Sequence, residues 1–288
     1  MASNYGQNDW MSNIIDSTPL NAINLVGTYR SQYGDASPLE QLNRGIRFFD
    51  LRLSGDGSFL NFVGSVAAFL ADHKSEFVLI QIKHELGWKA DFNSNKSTDW
   101  LRIFQNALQD FKVRSAFIYT GDSPAHKIPL SQVRGRAVLL ADNDMRLGYA
   151  FDSPLTVDPK AFWPVSLDTQ ITTFPSPDPS TWGNLDAIDS PWDRVNSALQ
   201  LSINRTNIAF GMTWLATETA SGNKQAADYF SGGIAQVLTH GSNPTSAPAQ
   251  GFWSLGLIVM DNISFNQDVI AGIIKANQSV KHQGGVVQ

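Results

Sequence analysis

The sequence predicts an α/β protein built as a TIM-like (β/α) barrel, which is compatible with an irregular or incompletely closed form. Short apolar runs rich in β-branched and aromatic residues alternate with longer segments of helical periodicity. Such alternation favours a parallel sheet, and the 288 residues suffice for one barrel. Charged residues also arrive where several apolar runs end. A doubly wound sheet is the alternative, but no Gly-x-Gly-x-x-Gly motif follows the first strand.

The predicted elements in the first half begin with an apolar, aromatic strand and a segment with apolar residues at helical spacing. The same pair of patterns then recurs, followed by two further apolar runs. The predicted elements are a strand at 46–53, a helix at 61–73, a strand at 77–82, a helix at 99–111, and strands at 116–119 and 137–141.

The second half repeats the alternation after an interruption. Residues 152–192 are rich in Pro, Ser, Thr and Asp, which predicts a long irregular loop at the barrel mouth. After it we expect a helix at 192–203, a strand at 208–214, a helix at 223–238, a strand at 254–260 and a helix at 267–278. Residues 281–288 are expected to fray. The whole chain, 1–288, is predicted as a single barrel domain.

Composition excludes several functional classes. The net charge of −5 gives no basic surface for nucleic acid. The chain has no cysteine, which rules out disulfides and thiolate metal sites. The polar start lacks a signal-peptide pattern, and no apolar run is long enough to span a membrane. We therefore expect a soluble protein that is cytoplasmic or secreted without a leader, does not insert stably into membranes, and can form homo-oligomers.

The strand ends supply the candidate ligand-binding residues. Asp50 and Arg52 lie two apart on one predicted strand, so they share a face. Further polar or aromatic residues at the ends of other predicted strands are Lys83, Glu85, Asp142, Trp214 and Asp261. Together they predict a polar pocket at the barrel mouth. Its mixture of charges suits a polyol, a sugar or a zwitterion better than a simple anion.

Several motifs carry a family resemblance. They are residues 25–31 (LVGTYRS), 41–52 (QLNRGIRFFDLR), 77–85 (FVLIQIKHE), 134–140 (RGRAVLL) and 258–261 (IVMD). In order and spacing they resemble the bacterial-type phosphatidylinositol-specific phospholipases C, over nearly the whole chain. The resemblance implies a barrel in which one histidine is a general base and a second is a general acid. It also implies an arginine that steadies the phosphate.

The catalytic residues implied by this resemblance are mostly missing. Tyr29 stands where the family has the base, and a tyrosine phenol, with a reference pKa near ~10, is a poor proton acceptor. Arg30 replaces the aspartate that follows the base. Residues 54–62 contain no match for the second histidine segment. Arg52 matches the phosphate arginine, and Asp261 matches a carboxylate partner of the acid.

The remaining differences concern the ligand and the metal. Asp142 falls where the family has an arginine against inositol, which reverses the charge. Relatives that use a metal have an acidic residue where Arg52 stands, so no metal and no other cofactor are expected.

The function predicted from these residues is a catalytically inactive, phospholipase C-like binding protein. The ligand is a small polar molecule, namely a glycan, a polyol or a phospho-headgroup, and lectin-like carbohydrate recognition is the preferred form. One alternative is a phosphoric diester hydrolase of lipid metabolism with a non-standard acid–base pair built on Tyr29 and Arg30. A second alternative is a structural pseudoenzyme that works through its outer helices.

Overall fold

The part of the chain that the structure describes forms an eight-stranded, all-parallel sheet with helices outside it. A computed structural model describes residues 7–29, 31, 36–53, 58–84, 128–140, 162–163, 170–171, 212–215, 256–260 and 267–283. The strands lie in the order β5-β4-β3-β2-β1-β8-β7-β6. Among the described residues no pairing joins the two end strands, so the described part of the barrel is not closed. The predicted α/β class with a parallel, barrel-like sheet is therefore confirmed.

The strands are short and follow the apolar runs of the sequence. Their bounds are β1 Leu25–Thr28, β2 Phe48–Leu53, β3 Phe77–His84, β4 Arg136–Leu140, β5 Phe162–Trp163, β6 Gln170–Ile171, β7 Met212–Leu215 and β8 Leu257–Met260. Because most strands in a parallel barrel are covered on both faces, they read as continuous apolar stretches, as LIVM of β8 does.

Register separates the inner and outer faces of the sheet. Gly27 pairs with Phe48 on one side and with Val259 on the other, and Phe48 pairs with Leu79. Phe48, Leu79 and Val259, which share this alternation, belong to one buried apolar cluster. The opposite alternation faces the helices, since the ring of Phe49 packs edge-on against Phe62 at 5.0 Å. The first alternation therefore lines the barrel interior.

A glycine at position 27 is required by this interior packing. A Cβ atom there would collide with the Phe48 ring, which occupies the space beside β1. A large ring opposite a residue without a side chain fills the interior without overlap.

Three α-helices cover the described strands. They are α1 Pro38–Asn43, α2 Ser58–Asp72 and α3 Gln267–Gln283. Ser37 caps the start of helix α1, where its hydroxyl accepts a hydrogen bond from the Glu40 amide, and a proline occupies the first turn. Helix α2 is uncharged until Asp72 and buries Phe62, Val66, Phe69 and Leu70.

The N-terminal segment closes the N-terminal end of the barrel. Its residues Trp10–Asn13 form a short 3₁₀ helix, and the Trp10 indole N–H donates to the Gly45 carbonyl at 3.3 Å. Trp10, Met11 and Leu20 belong to the interior cluster. The described residues at this end are therefore packed like a protein core.

The predicted bounds need some corrections. Two strands, β5 and β6, lie within 152–192, which was predicted as one irregular loop, because two-residue strands are too short to give a periodic pattern. Helix α3 continues to Gln283, into the predicted tail. The sequence analysis also missed α1, whose six residues make less than two turns. The predicted elements at 99–111, 116–119, 192–203 and 223–238 lie outside the described residues.

Candidate functional site

The barrel mouth lies at the C-terminal ends of the strands. The interior row defined by Gly27, Phe48 and Leu79 is apolar. The next interior row contains Asp50, which pairs with Gln81, and the row above it contains Arg52, which pairs with Lys83. Along β2 and β3, the positions of this alternation thus run from Phe48 and Leu79, through Asp50 and Gln81, to Arg52 and Lys83 at the mouth.

Tyr29 follows β1 at the boundary between the apolar interior and these charged rows. Its amide donates to the Met260 carbonyl at 3.1 Å, which extends the pairing of β1 with β8 by one residue. The side chain is only 7% exposed and belongs to the interior apolar cluster. Tyr29 therefore covers the apolar interior from the mouth side, and little of its surface can reach a ligand.

The charged rows combine one carboxylate with two cations. Asp50 is fully buried. The structure describes the backbone of Arg52 and Lys83, which occupy paired positions on β2 and β3. Paired positions on neighbouring strands lie about 4.8 Å apart, so the backbone brings the positions of these two basic residues close together.

The other predicted site residues are less well placed or lie outside the described residues. The backbone of Trp214 pairs with Val259, in the same row as Gly27 and Phe48 and one residue before the end of β7. Arg30, Glu85, Asp142 and Asp261 lie outside the described residues.

A buried polar network, which the sequence analysis missed, holds the end of β1. The Thr28 hydroxyl donates to the Gln41 side-chain carbonyl at 2.7 Å, and the Gln41 amide nitrogen donates to the backbone carbonyls of Ser31 and Ala36, both at 2.8 Å. The Ser31 hydroxyl lies 2.9 Å from the Thr28 carbonyl and 3.2 Å from that of Asp50. The turn that carries Tyr29 is thereby tied to α1 and to β2. The available signal in the sequence was Gln41, a single glutamine on the buried face of a short helix.

A buried ion pair, also missed, lies at the opposite end of the barrel. Arg47 precedes β2, Glu76 precedes β3, and both side chains are fully buried, with Arg47 Nη2 2.8 Å from Glu76 Oε2. Burial raises the pKa of the Glu76 carboxyl and lowers the pKa of the Arg47 guanidinium, while their mutual attraction opposes both shifts. Opposite charges just before two successive apolar strands were the available signal.

The ion pair also binds the N-terminal segment. Glu76 Oε1 accepts a hydrogen bond from the Met11 amide at 2.8 Å, and Arg47 donates to the Asn8 carbonyl at 2.8 Å. Arg134 donates to the carbonyls of Met11 and Ile14. The pKa shifts of Arg47 and Glu76 thus belong to a structural cluster that holds the N-terminal segment at the end of the barrel opposite the mouth.

Two further findings concern metals and membranes. Within the part of the chain that the structure describes, no group of three or more His, Cys, Asp or Glu residues is placed to hold a metal ion. No helix among the described residues combines the length and apolar character needed to cross a membrane.

Comparison with known proteins places the fold. No protein-family model matches the chain, and no curated protein matches it. Among solved structures, it is similar to the phosphatidylinositol-specific phospholipase C from Listeria monocytogenes, with 19% identity and a TM-score of 0.67 over 94% of this chain and 98% of that one. It is also similar to the Staphylococcus aureus enzyme, with 16% identity and a TM-score of 0.62 over 94% and 98%. At these identities the likeness shows a phospholipase C-like fold.

Proposed function

We propose that this chain is a phospholipase C-like barrel that has lost catalysis and binds a carbohydrate or related polyol at its mouth. The observation that carries the proposal is Tyr29, a buried aromatic residue at the end of β1, where the family resemblance has its general base. A phenol packed into an apolar cluster is badly placed to take a proton from a ligand.

The strand-end residues support a retained ligand site. Arg52 and Lys83 are hydrogen-bond donors at paired backbone positions, and the sequence predicts Glu85 and Asp261 as acceptors at neighbouring strand ends. A polyol presents donors and acceptors in alternation, which such a mixed set can satisfy together. The resemblance assigns Arg52 to the phosphate of a phospholipid, so the same position also suits a phospho-headgroup.

Binding of labelled protein to a glycan array, with soluble myo-inositol as competitor, tests this proposal. Arg52→Ala should weaken the specific signal about tenfold, because a hydrogen bond to a charged group is worth about 1.5–3 kcal/mol. Arg44→Ala is the matched control, since it makes the same charge change in an exposed pair with Glu40 on α1. A blank array, or equal binding by both variants, would contradict the proposed site.

The alternative is a phosphodiesterase with a non-standard acid–base pair, which the phospholipase C-like fold favours. Incubation of purified protein with phosphatidylinositol vesicles tests it. Formation of a cyclic inositol phosphate that disappears in Tyr29→Phe would establish turnover and overturn the inactive reading.

A further inference from the structure

The two ends of β1 are held by two buried primary amides that play corresponding roles. After β1, Gln41 on α1 bonds to Thr28, Ser31 and Ala36. Before β1, Asn277 on α3 accepts from the Asn24 amide at 2.8 Å and donates to the Asn24 carbonyl at 3.0 Å. Gln41 is 1% exposed and Asn277 is 5% exposed. Each amide thus connects an outer helix to one end of the same strand.

The bonds of Gln41 leave no freedom in its orientation. Its nitrogen donates both hydrogens to two backbone carbonyls, and its oxygen accepts the Thr28 hydroxyl hydrogen. A flipped amide would place the nitrogen against a hydroxyl and the oxygen against two carbonyl oxygens, which repel it. The geometry therefore fixes both the side chain and the backbone that it contacts.

We propose that Gln41 is a positioning residue for the barrel mouth. It holds the backbone at Ser31 and Ala36, and with Thr28 it fixes the turn in which Tyr29 lies. Gln41 is on the outer side of β1, so it acts through this turn and does not touch the ligand. The part of the inference that concerns binding rests on the proposed function.

Local hydrogen exchange tests the positioning role without any ligand. The Leu25 amide donates to the Gly256 carbonyl at 2.9 Å, and the Tyr29 amide donates to the Met260 carbonyl at 3.1 Å. The Tyr29 amide bonds to the last residue of β8, and the Leu25 amide bonds to the residue just before β8. Neither amide bonds to Gln41 or Asn277. Their exchange rates, measured by NMR, therefore report separately on the two ends of β1.

The two matched variants should give opposite patterns. Gln41→Leu should speed exchange of the Tyr29 amide about tenfold relative to that of Leu25, because two backbone carbonyls lose their donor. Asn277→Leu should speed the Leu25 amide relative to that of Tyr29. Equal acceleration at both amides in Gln41→Leu would overturn the proposal, because Gln41 would then contribute only to overall stability. No acceleration at either amide would also overturn it, because Gln41 would then hold neither end of β1.

Two substitutions of Thr28 test whether the hydrogen bond to Gln41, rather than side-chain volume, slows exchange of the Tyr29 amide. Thr28→Val keeps the shape but removes the hydroxyl, and should reproduce part of the Gln41→Leu effect on Tyr29. Thr28→Ser keeps the hydroxyl and should leave Tyr29 exchange close to wild type. Equal effects of Val and Ser would also overturn the network as the cause.

Binding of myo-inositol, measured by calorimetry, tests whether Gln41 also affects ligand binding at the mouth. Gln41→Leu should weaken binding about tenfold, while Asn277→Leu should change it less than about twofold. Wild-type protein that does not bind myo-inositol would count against the polyol form of the proposed function, and the exchange pattern would still decide the role of Gln41. Binding that is equal in all variants would contradict the positioning role at the ligand site.

Discussion

Replacing Arg47 with methionine should destabilise the fold strongly. Its guanidinium donates to the Glu76 carboxylate, with Nε–Oε2 at 2.9 Å, and to the Leu42 and Ile46 carbonyls at 2.7 and 2.8 Å. It also lies 4.7 Å from the centroid of the Phe69 ring. Removing one partner of a buried ion pair typically costs about 3–5 kcal/mol, and we expect a loss in this range at neutral pH.

The loss should grow as the pH rises. Burial raises the pKa of Glu76 above the ordinary value of 4.5, and the positive charge of Arg47 opposes that rise. Without Arg47 the carboxyl pKa in the folded state rises further. A carboxyl whose pKa is higher folded than unfolded binds more protons in the folded state, so its contribution to stability is lost from about pH 4.5 upward.

Urea unfolding at about pH 5 and about pH 8, followed by circular dichroism and fluorescence, measures both effects. Arg44→Met is the control, because its exposed pair with Glu40 is worth only about 0.3–0.5 kcal/mol. Adding Glu76→Gln to Arg47→Met should recover part of the loss, since it removes the stranded carboxylate. A loss below about 1 kcal/mol, or one that is flat with pH and unaffected by Glu76→Gln, would refute this account of the pair.

Two further predictions concern packing and the N-terminal segment. Gly27→Ala should cost roughly 1–3 kcal/mol because its Cβ collides with the Phe48 ring, whereas Gly64→Ala, which faces open space on α2, should stabilise the protein by about 0.5–1 kcal/mol. Thermal unfolding of the two variants measures the contrast, and equal melting temperatures would contradict the interior placement of Gly27. Arg134→Met should speed proteolysis within residues 11–16, because it removes donors to the Met11 and Ile14 carbonyls. Cleavage as slow as in wild type would show that Arg134 does not hold the segment.

The fold was predictable because the barrel's alternating patterns are strong and local. The runs around β2, β3 and β8 are long or apolar enough to identify, and their order implies a parallel sheet. The two-residue strands β5 and β6 were not predictable, because two residues carry no period. Their place in the sheet is set by pairing with β4 and β7, which only the three-dimensional structure reveals.

The sequence allows predictions about positions in the candidate site but not about their environment. Alternation predicts that Asp50 and Arg52 share a face, and the register puts both positions in the alternation that contains Phe48. That Tyr29 is buried within the apolar cluster depends on residues from distant segments, such as Leu79 and Val259. The Gln41 network and the Arg47–Glu76 pair join residues 5 to 29 positions apart, and the sequence signals at these residues do not identify their partners.

The two ends of the barrel bury polar groups for different physical reasons. At the N-terminal end, Arg47 and Glu76 satisfy each other and the backbone of the N-terminal segment, so their charges are used in holding the structure together. At the mouth, Asp50 is buried, and the positions of Arg52 and Lys83 pair one row further along β2 and β3. In barrels of this kind the C-terminal edge of the strands is where ligands bind. This difference is the physical reason for placing the proposed ligand at the mouth.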